Sequence, residues 1–230
     1  MKRMDPYKAN HQSFLAFAKQ FSLFIILLFC CQLVGILFSA IYSQAELFLT
    51  VNRLHQAQAD TVFKILTHLG DWPVTLAIAI ALLFVRYRYS LVVLSTMLYT
   101  GFFTQVIKLI AQHPRPALYF HELEPIHTIK DYTLQNALSF PSGHATCAFS
   151  LAVTLSYLWI SQRKRPWLFI IALVVALSRV YLSQHFFKDI LAGSFIGTFF
   201  ALHLLWLLEC KSSWFHSNKW NGSLRNLFSK

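Results

Sequence analysis

Three cations, two histidines and one carboxylate are distributed along the chain in an order that suits work on an anion. Lys108 and Arg115 come first, then the run Pro141-Ser142-Gly143-His144, then Arg179, His185 and Asp189. The i,i+4 spacing of His185 and Asp189 puts them on one face of a helix. A carboxylate so placed takes one imidazole N–H, fixes the tautomer and leaves the other ring nitrogen free as a nucleophile. The Pro-Ser-Gly-His turn reads as a helix start, where backbone amides point at anions and glycine permits close approach. Lys108, Arg115 and Arg179 suit the neutralisation of phosphate oxygens, the arginines through forked contacts. His144 is then available to protonate a leaving oxygen. Together these residues describe an anion site with acid–base equipment, able to stabilise charge on a transferring phosphoryl group.

The elements that must position them follow from composition. Of 230 residues, 56% are hydrophobic, 16% aromatic and only 13% charged, about half the ~25% charge of a soluble domain. Mean hydropathy is +0.50. These values exclude a water-soluble single domain, a disordered chain and a collagen-like or repeat fibre. A formal net charge of +11 would by itself suit nucleic acid. In so apolar a chain it instead implies an integral membrane protein with basic residues placed in particular loops. A bilayer crossing takes ~20 mostly apolar residues, and six segments qualify as candidates: Phe21–Tyr42, Trp72–Val85, Ser90–Gln112, Gly143–Gln162, Pro166–Leu182 and His185–Glu209. The expected fold is all-α and polytopic, one catalytic membrane domain over 1–230 with its motifs within 108–189. The first segment has the basic flank of a signal peptide, but its apolar run of 22 residues is long for one and it is read as retained.

Loop charge sets the orientation. With the N-terminus in the cytoplasm, that side carries Lys2, Arg3, Lys8 and Lys19, then Arg86 and Arg88, then Arg163-Lys164-Arg165, then Lys211, Lys219, Arg225 and Lys230, against Asp5 and Glu209 alone. The opposite side balances seven cations with seven anions. Both termini are therefore expected in the cytoplasm of a multi-pass cell (inner) membrane protein. Each chemistry-bearing residue then falls at the outer end of segments three to six, facing the periplasm or exterior. The longest connection, 113–141, is an outer loop with room for function.

With the residues so placed, Lys108-x6-Arg115-Pro116, Pro141-Ser142-Gly143-His144 and Ser178-Arg179-x5-His185-x3-Asp189 resemble the three signature motifs of the type 2 phosphatidic acid phosphatase family of lipid phosphate phosphatases. The resemblance implies a six-helix membrane phosphatase that uses neither metal nor cofactor. It implies a phosphohistidine on His185, orientation of His185 by Asp189, His144 as general acid, and phosphate held by Lys108, Arg115, Ser142, Gly143 and Arg179. Soluble vanadium-dependent haloperoxidases and secreted acid phosphatases share the motifs, and the apolar segments argue against both. The implied substrates are lipid phosphates: undecaprenyl diphosphate, phosphatidylglycerol phosphate, phosphatidic acid or lipid A phosphates. The partners are such a lipid and the bilayer, with no nucleic acid.

Rival readings have weaker support. Transfer of the phosphoryl group to a lipid or sugar acceptor would use the same residues. A carrier of anionic lipid would explain intramembrane charge, but no inverted repeat with paired broken segments is evident. His185 and Asp189 as metal ligands would be opposed by three cations. His113, His121 and His127 are expected to be solvated or interfacial, and Tyr119, Phe120 and Trp72 to form an aromatic belt. Gly193-x3-Gly197 is expected to allow close helix packing, and Cys30, Cys31, Cys147 and Cys210 to be buried, inert thiols.

Overall fold

The computed structural model describes residues 12–130, 132–158 and 165–225. Lys2, Arg3, Asp5, Lys8, Asp131, Arg163, Lys164 and Lys230 lie outside them, as does the end of the fourth expected segment. Ten α-helices and no strand form among the described residues. The first apolar stretch runs Phe14–Ile41, built from α1 (Phe14–Ala18), a 3-10 turn and α2 (Ser22–Ile41). Two short helices follow, α3 (Gln44–Asn52) and α4 (Ala57–Leu66). α3 starts at a capping box in which Ser43 Oγ accepts from the Glu46 amide while the Glu46 carboxylate accepts from the Ser43 amide. A 3-10 turn, Thr67–Gly70, leads into α5 (Trp72–Leu83), with a bend of 54° between the two arms. Pro73 lies in the first turn of α5, where a missing amide costs nothing.

α6 (Tyr87–Ala111) ends at Gln112 in the left-handed conformation, and α7 (Pro116–Tyr119) is a single turn in the outer loop. α8 (Gly143–Leu158), α9 (Arg165–Tyr181) and α10 (Phe187–Lys211) complete the bundle. α10 is its axis: it lies along α8, with α6, α9 and α2 around it. Half of its most apolar window is buried, against 17% for α2, so α2 turns Ile26, Phe29, Leu33 and Leu37 outward. An apolar face that broad is stable against lipid and not against water. The chain is an integral membrane protein. Three stretches are long and apolar enough to cross a bilayer (14–41, 87–119 and 187–211), and a fourth if the bent arms at 57–83 form one span.

The glycine pair explains why α10 sits so close to α8. A Cβ at Gly193 would lie 2.5 Å from the Ser142 carbonyl oxygen, and one at Gly197 would strike the backbone of Thr146. Only glycine lets the two backbones approach this closely.

Three expectations need correction. Phe120 is not in an interfacial belt. It is 3% exposed and packs on Phe48 and Phe186, because the loop after α7 folds back over α3. Of the four thiols only Cys210 is buried: Cys30 is exposed on the outward face of α2, and Cys31 and Cys147 are half-buried. His127 is not simply solvated: Nε2 lies 3.1 Å from Asp60 and its ring stacks on His55, which ties the outer loop to α4.

Candidate active site

The C-terminal ends of α6 and α9 and the N-terminal ends of α8 and α10 converge, and with them come all eight residues singled out by spacing. The Ser142 amide donates to the Asp189 carbonyl at 2.9 Å, which locks the start of α8 to the start of α10. His185 does not ride on a helix face with Asp189, as the i,i+4 spacing suggested. α10 begins at Phe187 because the Asp189 carboxylate turns back to accept the Phe186 amide at 2.8 Å, a capping contact that ends the helix there. The pair meets across this cap, with His185 Nδ1 3.4 Å from Asp189 Oδ2.

Both groups are buried, at 1% and 0% side-chain exposure. Ser139, from the outer loop, donates to Asp189 Oδ2 at 2.5 Å and lies 3.4 Å from His185 Nδ1. His185 Nε2 has no hydrogen bond among the described residues. Burial pushes the His185 imidazole down to about 3; the Asp189 hydrogen bond opposes that shift and the Arg115 charge adds to it. The ring is neutral at ordinary pH, with one nitrogen turned to Asp189 and the other bearing a lone pair.

Lys108, Arg115 and Arg179 are 8%, 6% and 4% exposed. Each is held by a neutral oxygen. Lys108 Nζ donates to the Leu138 carbonyl at 2.6 Å. Arg115 donates to the Ala137 carbonyl at 2.9 Å and to Gln184 Oε1 at 2.8 Å. Arg179 donates to Thr67 Oγ1 at 2.7 Å and to the Tyr132 hydroxyl at 2.9 Å, and its buried Nε has no partner. The three cations and Asp189 are within electrostatic reach of one another. Among the described residues none of the three forms a salt bridge to a carboxylate. Cations buried without a protein anion are costly, and the arrangement complements an oxyanion with several acceptor oxygens.

His144 lies in the first turn of α8, with Nε2 2.6 Å from Asp71 Oδ1. Gly143 precedes it, and a Cβ there would meet nothing within 4 Å, so protein packing does not require the glycine. Gly143, His144, Lys108 and Asp71 line the polar end of a cleft of about 290 Å³ between α5, α6 and α8. Below them the wall carries Thr96, Thr100, Thr104 and Thr146, each hydroxyl donating to the carbonyl four residues back. His185, Arg115 and Arg179 are not part of this wall.

Sequence reasoning missed Ser139, Gln184, Thr67, Tyr132 and Asp71. Ser139 lies just ahead of the Pro-Ser-Gly-His run, and Asp71 is a carboxylate at the mouth of an apolar segment. Either position was a signal. Lys188 points away from Asp189, its amide bonded to Gln44 Oε1 and its ammonium 3.4 Å from His113 Nδ1.

Comparison with known proteins bears on this geometry. The model of the PAP2 superfamily matches residues 89–212, more than half of the chain. A crystal structure of LpxE from Aquifex aeolicus superposes with a TM-score of 0.63 at 26% identity, covering 70% of this chain and 93% of that one. The transmembrane PAP2-type phosphatidylglycerolphosphate phosphatase of Bacillus subtilis is similar in fold, with a TM-score of 0.55 at 21% identity over 82% of this chain and 98% of that one. The bacitracin transport permease protein BcrC of Bacillus licheniformis is 29% identical over 88 residues, 38% of this chain. The match spans 41% of that curated relative's length.

Proposed function

The chain belongs to the PAP2 superfamily, and from that premise we propose that it hydrolyses a phosphate monoester or diphosphate carried by a membrane lipid, without a metal, through a phosphohistidine on His185. One observation carries the reading: three buried cations stand beside a neutral His185 with no carboxylate salt bridge among the described residues to answer their charge. A phosphoryl group supplies the negative charge and the acceptor oxygens that such a cluster suits.

In this reading His185 Nε2 attacks phosphorus while Asp189 holds Nδ1. The bond to the leaving oxygen breaks, and His144 gives that oxygen its proton. Water then attacks the phosphohistidine, His144 takes up the water's proton, and inorganic phosphate departs. Lys108, Arg115 and Arg179 hold the equatorial oxygens, helped by Ser142, Gly143 and the first amides of α8. The lipid tail lies in the cleft between α5, α6 and α8. We read α2, α5, α6, α8, α9 and α10 as six crossings, with termini in the cytoplasm and the site at the outer face of the cell membrane.

The Bacillus licheniformis relative is named for transport, which raises carriage as a second reading. A nucleophile–carboxylate pair with an adjacent acid has no use in carriage, so catalysis is favoured. The test is phosphate release by the purified chain in detergent from undecaprenyl diphosphate, phosphatidylglycerol phosphate, phosphatidic acid and lipid A phosphates. Release from at least one, persisting in excess EDTA and abolished in a folded His185→Ala variant, is expected. No release from any of the four, or full turnover by the variant, would overturn the reading. A cysteine at position 115 that labels only from the cytoplasmic side would overturn the topology.

A further inference from the structure

Asp71 occupies the N-cap of α5, where an aspartate ordinarily accepts amides of its own helix. Its side chain makes no such bond. The two carboxylate oxygens are committed elsewhere: Oδ1 lies 2.6 Å from His144 Nε2 and Oδ2 lies 2.7 Å from His68 Nδ1. The backbone is shaped for this contact. A Cβ at Gly70 would lie 2.6 Å from Val175 Cγ1 and 3.0 Å from the His144 carbonyl oxygen, so a glycine in the 3-10 turn lets Asp71 reach the start of α8. The same turn supplies Thr67 to Arg179. The His144 ring has no other hydrogen bond among the described residues, and it lines the cleft beside Gly143 and Lys108.

We propose that Asp71 is the positioning residue of the general acid: its carboxylate holds one nitrogen of His144 so that the other points its proton at the leaving oxygen. The inference rests on the reading of His144 as the acid. An imidazolium that donates one N–H to a carboxylate keeps a fixed ring plane and a single proton to give. When that proton passes to the leaving oxygen as the ester bond breaks, the ring is left neutral and still held by Asp71. His68, 63% exposed, takes the second oxygen and fixes the carboxylate's rotation. Asp71 touches neither phosphorus nor the leaving group in this scheme and acts only through His144.

The role predicts a dependence on the leaving group that a structural role would not produce. An alkyl leaving group needs protonation; a nitrophenolate leaves without it. The full chain in detergent is assayed on phosphatidic acid and on p-nitrophenyl phosphate. Asp71→Asn is expected to lower kcat/KM on phosphatidic acid roughly 10- to 100-fold, the lower range of general-acid effects, and to leave kcat/KM on p-nitrophenyl phosphate within about three-fold. kcat/KM reports only the formation of the phosphohistidine and the departure of the alcohol, and so leaves out the later step in which His144 takes the water's proton. Asp71→Asn in a His144→Asn background is expected to cost nothing further. Equal losses on the two esters, or a further loss in that background, would overturn the proposal. If Asp71→Asn does not purify folded, Asp71→Glu, which keeps the charge and displaces it by one methylene, is read by the same ratio. The two levels separate cleanly. A uniform loss for His144→Asn itself, or no phosphate release by the wild-type chain from any of the four lipids, faults the underlying reading. A selective loss for His144→Asn beside a uniform loss for Asp71→Asn faults Asp71 alone.

Discussion

The Ser139 hydroxyl donates to Asp189 Oδ2 at 2.5 Å, so a loop residue and the first turn of α10 share one buried carboxylate. The same oxygen accepts the Phe186 amide and faces His185 Nδ1. The orientation of the candidate nucleophile is therefore set jointly by a helix cap and by the outer loop.

Ser139→Ala removes one of these donors and leaves a fully buried carboxylate less satisfied. Phosphate release is expected to fall about ten-fold, equivalent to about 1.4 kcal/mol of barrier, while Ser139→Thr retains most of the rate. Initial rates of the three proteins on one lipid decide it, and an unchanged rate for the alanine variant would count against the shared-carboxylate arrangement.

Lys108→Met keeps the side-chain length and removes a buried charge that is repelled by Arg115 and Arg179. Turnover is expected to drop about 100-fold or more, whereas the thermal midpoint holds or rises, because desolvation and like-charge repulsion are relieved. Orthophosphate should raise the wild-type midpoint by mass action and leave that of the variant almost unmoved. A variant that unfolds more easily yet still responds fully to orthophosphate would contradict this.

Acid sensitivity follows from His185. Its ordinary value is about 6.5 and the folded protein holds it down to about 3, so unfolding takes up a proton between these limits. Stability from this group is fully present above pH 6.5 and is lost as pH falls toward 3. At pH 5 the loss is about 2 kcal/mol, at about 1.4 kcal/mol per pH unit. Thermal melts at pH 7.5 and pH 5 should show a smaller acid-induced drop for His185→Gln than for the wild type, and identical drops would refute the assignment.

Two glycines should respond in opposite ways. At Gly197 a methyl group meets the backbone of Thr146, which cannot give way, so Gly197→Ala is expected to cost about 1–3 kcal/mol of stability, the range for overpacking. At Gly143 a methyl group meets no protein atom. Gly143→Ala is expected to melt normally and to lose roughly ten-fold or more in turnover, because the methyl occupies space proposed for phosphate. Paired melts and rates distinguish the two sites.

What the sequence disclosed was the part of the site that repeats a spacing. Lys108, Arg115, His144, Arg179, His185 and Asp189 could be singled out because charges are rare in apolar segments, and their segments placed them at one end. Gln184 carries no such mark, and Ser139 and Asp71 carry only a weaker one in their positions, beside the Pro-Ser-Gly-His run and at the mouth of an apolar segment. Ser139 and Gln184 are ordinary polar residues in connections, and their roles depend on how the 113–141 loop folds over the helix ends. Asp71 was visible only as one more charge on the outer side, since its contact with His144 depends on the bend after Gly70. Helix boundaries shifted for local reasons. The sixth segment starts later than hydropathy suggests because Asp189 caps it, and α6 starts three residues early because the Tyr87 amide and the Arg88 guanidinium bond the Gly222 and Phe215 carbonyls of the C-terminal turns.

The threonine row below His144 has a consequence for which end of an amphiphile the cleft admits. Thr96, Thr100, Thr104 and Thr146 look hydrophilic as letters. Each gives its only hydroxyl proton to the backbone carbonyl four residues before it. These four threonines present methyl groups and oxygen lone pairs to the cleft and keep their hydroxyl protons for the backbone. On the proposed reading, that stretch of wall suits the hydrocarbon of the lipid better than its phosphate, and Lys108 marks where the head would stop.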